Sequence, residues 1–385
     1  MKKILIIAVA ILLIVSCGSK QQKHTDPMAG TGRTERTENL LASLHLIAGK
    51  GNYMFGHQDD TAYGIGWVGD DNRSDVQSVC GDKPAVIGFD LGHIELGDSV
   101  NLDGVPFSRI RKEILLHFER GGMITISWHL DNPLSGGTSW VAGSLKELET
   151  RTVETVLEGG EQHEKFLDWL DRVADFMNSL ETPCGVRVPV VFRPWHEHVG
   201  SWFWWGQNHC TAEQYKALWK LTVNRFKEKG VANVLYAYSP NIAGNVSKEI
   251  LMERYPGDEL VDIIGYDQYC SAAEGDTAAL SAYASQLDIC LGYICDAARQ
   301  HGKVAALTET GYESIKSADW WTRTLMPVLD RHLVCYALVW RNAHDKPGHF
   351  YAPYPGHASA NDFVSFYNHP NTLFLKDVKG LYTKK

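Results

Sequence analysis

Residues 189–198 read Pro-Val-Val-Phe-Arg-Pro-Trp-His-Glu-His, a short β-branched run that leads directly into polar and aromatic side chains. Helical patterns lie on both sides. Residues 161–180 repeat apolar side chains every three or four positions, and residues 211–229 begin with Thr211 and Gln214 as a capping box and stop at Gly230. A strand between two amphipathic helices is the repeating unit of a parallel sheet with helical crossovers. The stretch therefore predicts an α/β fold.

Seven further apolar runs have the same character, and helical patterns at 107–120 and 276–301 separate some of them. In chain order the eight predicted strands are residues 53–57, 85–90, 123–129, 189–193, 233–238, 261–266, 304–308 and 334–340. Eight such units close most naturally into a (β/α)8 TIM barrel. The alternative, an open doubly wound sheet, is disfavoured because no glycine-rich phosphate loop follows the first run.

The first seventeen residues form a predicted signal sequence. Lys2 and Lys3 precede an apolar run at 4–15, which as a helix is roughly 18 Å long and too short to cross about 30 Å of hydrocarbon. The ending Ile-Val-Ser-Cys resembles a bacterial lipobox, which implies that Cys17 becomes the lipidated first residue of the mature protein. A plain signal peptide with a chance cysteine is the alternative.

Residues 18–38 are polar and nearly free of bulky apolar side chains, so we expect a flexible tether there. Residues 39–385 then form one catalytic domain, without a second linker or an internal repeat. Acidic residues are absent directly after Cys17, and this favours an outer-membrane lipoprotein that faces the periplasm over one on the cell surface. A monomer is expected.

Charge and cysteine content exclude several protein classes. The 37 basic and 46 acidic residues give a net charge of −9 without a basic block, which is unlike a nucleic-acid binder and suits a neutral polymer. The seven cysteines after Cys17 lack CxxC or zinc-like spacing, so mostly buried free thiols are expected, although one or two disulfides stay open. His57, His196 and His198 raise a metal-dependent hydrolase as a rival, but no HExxH motif is present. No metal or organic cofactor is implied.

Polar and aromatic residues follow nearly every predicted strand, as a single active-site face at the carboxyl ends of barrel strands requires. Glu197 follows the fourth strand and Glu309 the seventh, and these two strands face each other across a barrel. Hydrolysis of a glycosidic bond with retention needs one carboxyl as acid/base and a second, about 5 to 5.5 Å away, as nucleophile. The pair therefore predicts a glycoside hydrolase.

The chain resembles glycoside hydrolase family 26 from about residue 39 to residue 378. The motifs that carry the resemblance are Arg-Pro-Trp-His-Glu at 193–197, Leu-Thr-Glu-Thr-Gly at 307–311, Gly-His-Gln at 56–58 and Trp-Arg-Asn at 340–342. Well-known members are β-1,4-mannanases with catalytic carboxylates on strands four and seven. The resemblance implies that Glu197 is the acid/base and Glu309 the nucleophile.

Further roles are implied for residues that match the family. His129 and Trp202 match substrate-binding residues, and His196 matches a histidine that precedes the acid/base and contacts the sugar's 2-hydroxyl or the surroundings of the nucleophile. Tyr269, in preference to Tyr266, matches a tyrosine that donates to the nucleophile. Trp340 is expected to stack on the sugar at the cleavage point, with Arg341 beside it.

The chemistry of the side chains agrees with these roles. Arg193 and Tyr269 can donate hydrogen bonds that keep a nucleophilic carboxylate charged. Indoles cover the apolar faces of pyranoses well, which makes five tryptophans candidates for the cleft: Trp140, Trp202, Trp204, Trp205 and Trp340. For Trp204 and Trp205, core packing is an equally good interpretation because adjacent residues point in opposite directions along an extended chain.

The expected activity is hydrolysis of β-mannan or galactomannan to short manno-oligosaccharides, including release of mannobiose if residues 134–160 wall off one end of the cleft. A β-glucanase or β-xylanase of the same family is the closest alternative. A non-catalytic sugar-binding lipoprotein is a second alternative, which the two glutamates disfavour.

Overall fold

The computed structural model describes residues 27–141, 150–241 and 246–385. Cys17, the signal sequence and residues 18–26 of the predicted tether lie outside these residues. Eight parallel strands form a closed barrel in which each strand pairs with the next along the chain and the eighth pairs with the first. The strands are β1 (Tyr53–Gln58), β2 (Val86–Asp90), β3 (Met123–Ser127), β4 (Val190–Arg193), β5 (Val234–Tyr238), β6 (Ile263–Cys270), β7 (Val304–Tyr312) and β8 (Val334–Val339). The predicted (β/α)8 fold is confirmed.

Helices surround the barrel and follow the predicted patterns closely. They are α1 (Glu35–Gly49), α2 (Asp75–Cys80), α3 (Phe107–Glu119), α4 (Thr152–Val156), α5 (His163–Ser179), α6 (Ala212–Glu228), α7 (Lys248–Met252), α8 (Thr277–His301), α9 (Met326–Leu329), which continues a π-helical turn at Trp321–Leu325, and α10 (Ala360–Tyr367). The predicted capping box is present at the start of α6, where Thr211 and Gln214 bond each other's backbone. Among the described residues, no helix is both long and apolar enough to cross a membrane.

Two apolar clusters hold the barrel together, because every barrel strand except β6 is buried along its whole length. One cluster fills the space between strands and helices, and a smaller one fills the barrel near its base with residues such as Met54, Val191 and Leu338. Burial of each such side chain contributes about 1.5 to 3 kcal/mol. The barrel interior is therefore a packed core.

The folded region begins earlier than the predicted boundary at residue 39. Residues 28–34 form a turn closed by a bridge between Met28 and Thr34, and Thr34 caps α1. Arg33 donates to both carboxylate oxygens of Asp262, at the base of the barrel, at 2.8 and 2.7 Å. Polar capping and ion pairing fix residues 28–34. The prediction of a flexible tether is therefore wrong for this part of 18–38, because a segment with few apolar residues can be held by polar contacts.

Strands β6 and β7 are also longer than predicted. Their ladder continues to Cys270 and Tyr312, with a register shift that leaves Thr308 without a partner between Leu307 and Glu309. Residues predicted to follow these strands, including Tyr269 and Glu309, therefore lie within them. The bulge explains the difference, because it lets pairing continue past the point where the apolar run ends.

The described cysteines are all free thiols, as expected for most of them. Cys210, Cys270, Cys290 and Cys335 are buried, whereas Cys184 is exposed.

Candidate active site

A cleft of about 680 Å³ opens at the carboxyl ends of the strands. Eight of the ten predicted catalytic and substrate-binding residues line it: Glu197, Glu309, His129, Trp140, Trp202, Tyr269, Trp340 and Arg341. The other two, Arg193 and His196, lie beneath this surface and are almost fully buried. The barrel thus brings side chains from distant parts of the sequence to one cleft.

The backbone after β4 is folded sharply to aim Glu197 into the cleft. Trp195 and Glu197 have φ angles of 53° and 55°, in the left-handed region that costs a non-glycine residue about 1 to 3 kcal/mol. Two hydrogen bonds hold the turn: the Glu197 amide donates to the Ser239 carbonyl at 2.9 Å, and the Tyr215 hydroxyl donates to the Trp195 carbonyl at 2.8 Å. The surrounding structure therefore enforces an unfavourable conformation at this glutamate.

Trp202 fixes one oxygen of the Glu197 carboxyl. Its indole Nε1 donates to Glu197 Oε2 at 2.8 Å, and its ring lies against Gly200, where a Cβ would approach the ring to 2.5 Å. Only glycine at position 200 leaves room for this contact. The second oxygen, Oε1, remains for a proton that can be given to a ligand.

Burial and, secondly, the nearby Glu309 carboxylate raise the pKa of Glu197 well above its usual range. Desolvation disfavours the charged form, and a like charge adds to that effect. The raised pKa suits Glu197 to the role of a proton donor.

Glu309 is held from two sides by donors. The Tyr269 hydroxyl donates to Glu309 Oε1 at 2.5 Å, and Arg193 donates to Oε2. Both contacts fix the orientation of the Glu309 carboxylate. Both donors were predicted from the sequence, and Arg193 lies beneath Glu309, where it contacts this carboxylate and does not line the cleft. Tyr266, the less favoured candidate, is buried in the core.

The bulge in β7 positions Glu309. Thr308 packs against Gly265, where a Cβ would come within 2.4 Å of the threonine side chain. The Thr308 hydroxyl donates to Asp267 Oδ1 at 2.6 Å, and Arg193 donates to Asp267 Oδ2 at 2.7 Å. Asp267 therefore fixes Arg193, which in turn contacts Glu309. Asp267 directly follows the sixth predicted strand, at 261–266, and was not among the predicted site residues.

Two histidines share a hydrogen bond at the edge of the cleft. His129 Nε2 and His196 Nε2 are 3.0 Å apart, and His129 Nδ1 is 2.7 Å from the buried carboxylate of Asp90. His196 is thus placed behind His129, which lines the cleft. Burial lowers the pKa of His196 well below its ordinary value.

Aromatic side chains form much of the cleft surface. Trp140 is 55% exposed and packs on Phe203. The ring centroids of Trp340 and His129 are 5.9 Å apart. Trp204 and Trp205 are fully buried, so for both of them core packing is the correct interpretation.

Arg341, a predicted site residue, contacts side chains that were not predicted from the sequence. It is 3.1 Å from Asp103 and 3.3 Å from the Tyr63 hydroxyl. Tyr351, His349 and Lys346 also line the cleft. Tyr63 lies in a short hairpin strand (Tyr63–Gly64), and the other residues apart from Arg341 come from loops. None of them showed a strand-end signal in the sequence, and only the folding of the barrel brings them to the cleft.

The arrangement combines a carboxyl whose pKa is raised with a carboxylate held by two donors, within a cleft of indole and tyrosine rings. One group can protonate a leaving oxygen while the other attacks carbon or stabilises positive charge. The rings offer apolar surfaces that match the faces of a pyranose.

Comparisons with known proteins agree with this chemistry. The profile of glycosyl hydrolase family 26 matches residues 31–287. A solved β-mannanase of this family from Bacteroides ovatus superposes with a TM-score of 0.87 and 50% identity, over 92% of this chain and 98% of that one.

Two curated mannan endo-1,4-β-mannosidases are also similar. The protein from Bifidobacterium adolescentis is 33% identical over 72% of this chain, and the match spans only 27% of that protein's length. The protein from Bacillus subtilis is 26% identical over 75% of this chain and 78% of its own length. With the profile match and the 50% identical structure, these findings show that the chain belongs to glycoside hydrolase family 26.

Proposed function

We propose that the protein is a retaining β-1,4-mannanase that hydrolyses β-mannan or galactomannan to short manno-oligosaccharides. The observation that carries the proposal is the pairing of Glu197 and Glu309 in one aromatic cleft, where Trp202 donates to the first carboxyl and Tyr269 and Arg193 donate to the second. The mannanase names of the similar proteins favour mannan over xylan and mixed-linkage glucan.

In the first step of the proposed mechanism, Glu309 attacks the anomeric carbon while Glu197 gives its proton to the leaving glycosidic oxygen. A covalent glycosyl-enzyme forms, and the leaving chain departs with a new hydroxyl group. In the second step, Glu197 takes a proton from water, whose oxygen displaces Glu309 from the anomeric carbon. Two displacements return the sugar with its original configuration.

Product release from β-mannan, galactomannan, xylan and mixed-linkage glucan tests the substrate. The mature protein is compared with the Glu197→Ala and Glu309→Ala variants. Activity on the two mannans alone, lost in both variants, is the expected result. Activity confined to another polymer would replace the substrate, and activity that survives in both variants would overturn the mechanism.

We further propose that the cleft is walled at one end, so that mannobiose is a major product. Residues 134–160 supply the candidate wall: Trp140 of this segment lines the cleft, whereas residues 142–149 lie outside the described part of the chain. Shortening the segment should lengthen the smallest products from mannan. An unchanged product pattern would eliminate this idea.

Cys17 as a lipid attachment site, and a monomer on the periplasmic face of the outer membrane, are proposals from the sequence. The exposed start of the described chain at Pro27 is compatible with a preceding tether. Protease treatment of intact cells checks the location: an enzyme that resists until the cells are opened supports the periplasmic face, and one that is released from intact cells contradicts it.

A further inference from the structure

Asp90, at the end of β2, is a buried carboxylate that contacts one side chain of the cleft. Its Oδ1 accepts from the amides of Gly92 at 2.7 Å and His129 at 3.2 Å. Its Oδ2 accepts from Ser127 Oγ at 2.6 Å and lies 2.7 Å from His129 Nδ1. Four donors around a buried carboxyl favour its ionised form. Asp90 thus binds both the backbone and the ring of His129.

A hydrogen bond between His129 Nε2 and His196 Nε2 needs a proton on one of these two nitrogens and a lone pair on the other. In a neutral imidazole one nitrogen donates and the other accepts. Burial lowers the pKa of His129, but the Asp90 carboxylate outweighs burial and raises it. Above that pKa the ring is neutral, so Nδ1, which faces Asp90, carries the proton and Nε2 of His129 is the acceptor. The 3.0 Å contact then makes His196 the donor from its own Nε2.

His196 Nδ1 supports this assignment independently. That atom is buried and has no hydrogen-bond partner among the described residues. An unpartnered lone pair at this position costs less than an unpartnered N–H, since orphaned buried N–H groups are the rarer case in proteins. The opposite arrangement would leave a buried N–H at Nδ1 without an acceptor.

We propose that Asp90 is a positioning residue for the reaction: it fixes His129 as the Nδ1–H form and, through His129, His196 as the Nε2–H form. The ring of His129 is thereby held edge-on to Trp340, at 5.9 Å and 67°, as one wall of the cleft. The proposal rests on the proposed function for its effect on catalysis, whereas the proton positions do not depend on the substrate. Asp90 itself does not line the cleft.

The Asp90→Asn variant tests the role, with Ser127→Ala as the matched control. Asparagine has the same shape as aspartate, but an NH2 group replaces one of its two acceptor oxygens. Each of these oxygens faces one donor of His129, so one hydrogen bond to His129 is lost. We expect kcat/KM on mannan to fall by about 10- to 100-fold, because small displacements of positioning groups have effects of this size. Ser127→Ala removes one donor to Asp90 without touching His129, and should leave kcat/KM within about twofold.

Nitrogen-15 NMR of the protein without substrate, at pH 8, reads the proton positions directly. Signals are assigned with the His129→Gln and His196→Gln variants. Wild type and Ser127→Ala should show Nδ1–H for His129 and Nε2–H for His196, and Asp90→Asn should change the His129 pattern. A wild-type His129 protonated at Nε2 overturns the proposal even if Asp90→Asn fails to fold.

Unchanged kcat/KM in Asp90→Asn, or an equal loss in both variants, would also overturn the positioning role. If wild type does not hydrolyse mannan, the proposed function fails separately, and the NMR result still decides the proton positions.

Discussion

Two arginines at opposite ends of the barrel each contact carboxylates at hydrogen-bond distance. At the carboxyl ends of the strands, Arg193 contacts Asp267 and Glu309. At the base, Arg33 contacts both oxygens of Asp262. The cavity at the base is the larger, about 910 Å³ against about 680 Å³ for the cleft. Volume alone would therefore place the active site at the wrong end.

Burial and the convergence of charges distinguish the two ends. The Arg193 side chain is 3% exposed and that of Arg33 is 22% exposed. Glu197 adds a third carboxyl close to Arg193 and Glu309, and its pKa is raised by burial and by Glu309. At the base, Arg33 also lies 3.7 Å from Glu38, whose side chain is 28% exposed. The structural ion pair and the reactive site thus differ in how deeply the arginine and its carboxylates are buried.

The largest expected effects come from removing the two glutamates. Glu309→Gln should lower kcat/KM on mannan on the order of 10⁴-fold, because it removes the nucleophile. Glu197→Gln should lower it by about 10² to 10⁴-fold, because it removes proton transfer to the leaving oxygen. Steady-state kinetics measure both, and circular dichroism checks that the variants fold. Residual activity above a tenth of wild type in either variant would contradict its assigned role.

The dependence of activity on pH tests Glu197 separately. Glu197 must be protonated in the first step, so kcat/KM should fall as pH rises through its pKa, which is raised by burial and Glu309. The Glu197→Ala variant should lose this alkaline limb on a dinitrophenyl mannobioside, whose leaving group needs no proton. An alkaline limb that persists in the variant would assign it to another group.

Arg193→Lys tests the ion-pair cluster at the carboxyl ends of the strands. A lysine ammonium cannot reproduce the planar fork that contacts Asp267 and Glu309 together. We expect kcat/KM to fall about 100-fold, since loss of one preorganised donor has effects of this size. A variant that folds and retains nearly full activity would show that this ion-pair cluster is structural, like the one at the base.

Arg33→Lys is the matched substitution at the base and has the smallest expected effect. It should leave kcat/KM within about twofold and lower stability by about 1 kcal/mol, because one charge-assisted hydrogen bond to Asp262 weakens. Differential scanning calorimetry should then show a decrease in Tm of roughly 2 °C. A large loss of kcat/KM at an unchanged Tm would contradict this expectation and show that contacts at the base affect catalysis in the cleft.

Most of the fold could be predicted from sequence because the barrel strands are contiguous apolar runs. The motif around Glu197 and the strand order also indicated the cleft. The bulge at Thr308 could not be predicted, since it depends on how closely Gly265 lets a neighbouring strand approach. Asp103 was missed because its loop reaches Arg341 only in the folded barrel. The ordered turn at 28–34 was missed because its stabilising contact, between Arg33 and Asp262, joins residues far apart in sequence.

The most direct test of the account is to trap the covalent intermediate. The protein is incubated with an activated 2-deoxy-2-fluoro mannobioside, which slows the second displacement more than the first, and its peptides are analysed by mass spectrometry. The account predicts one fluoroglycosyl group per protein, attached to Glu309, and no labelling in Glu309→Gln. Attachment to a different carboxylate, or rapid turnover without any adduct and with inverted product, would contradict it.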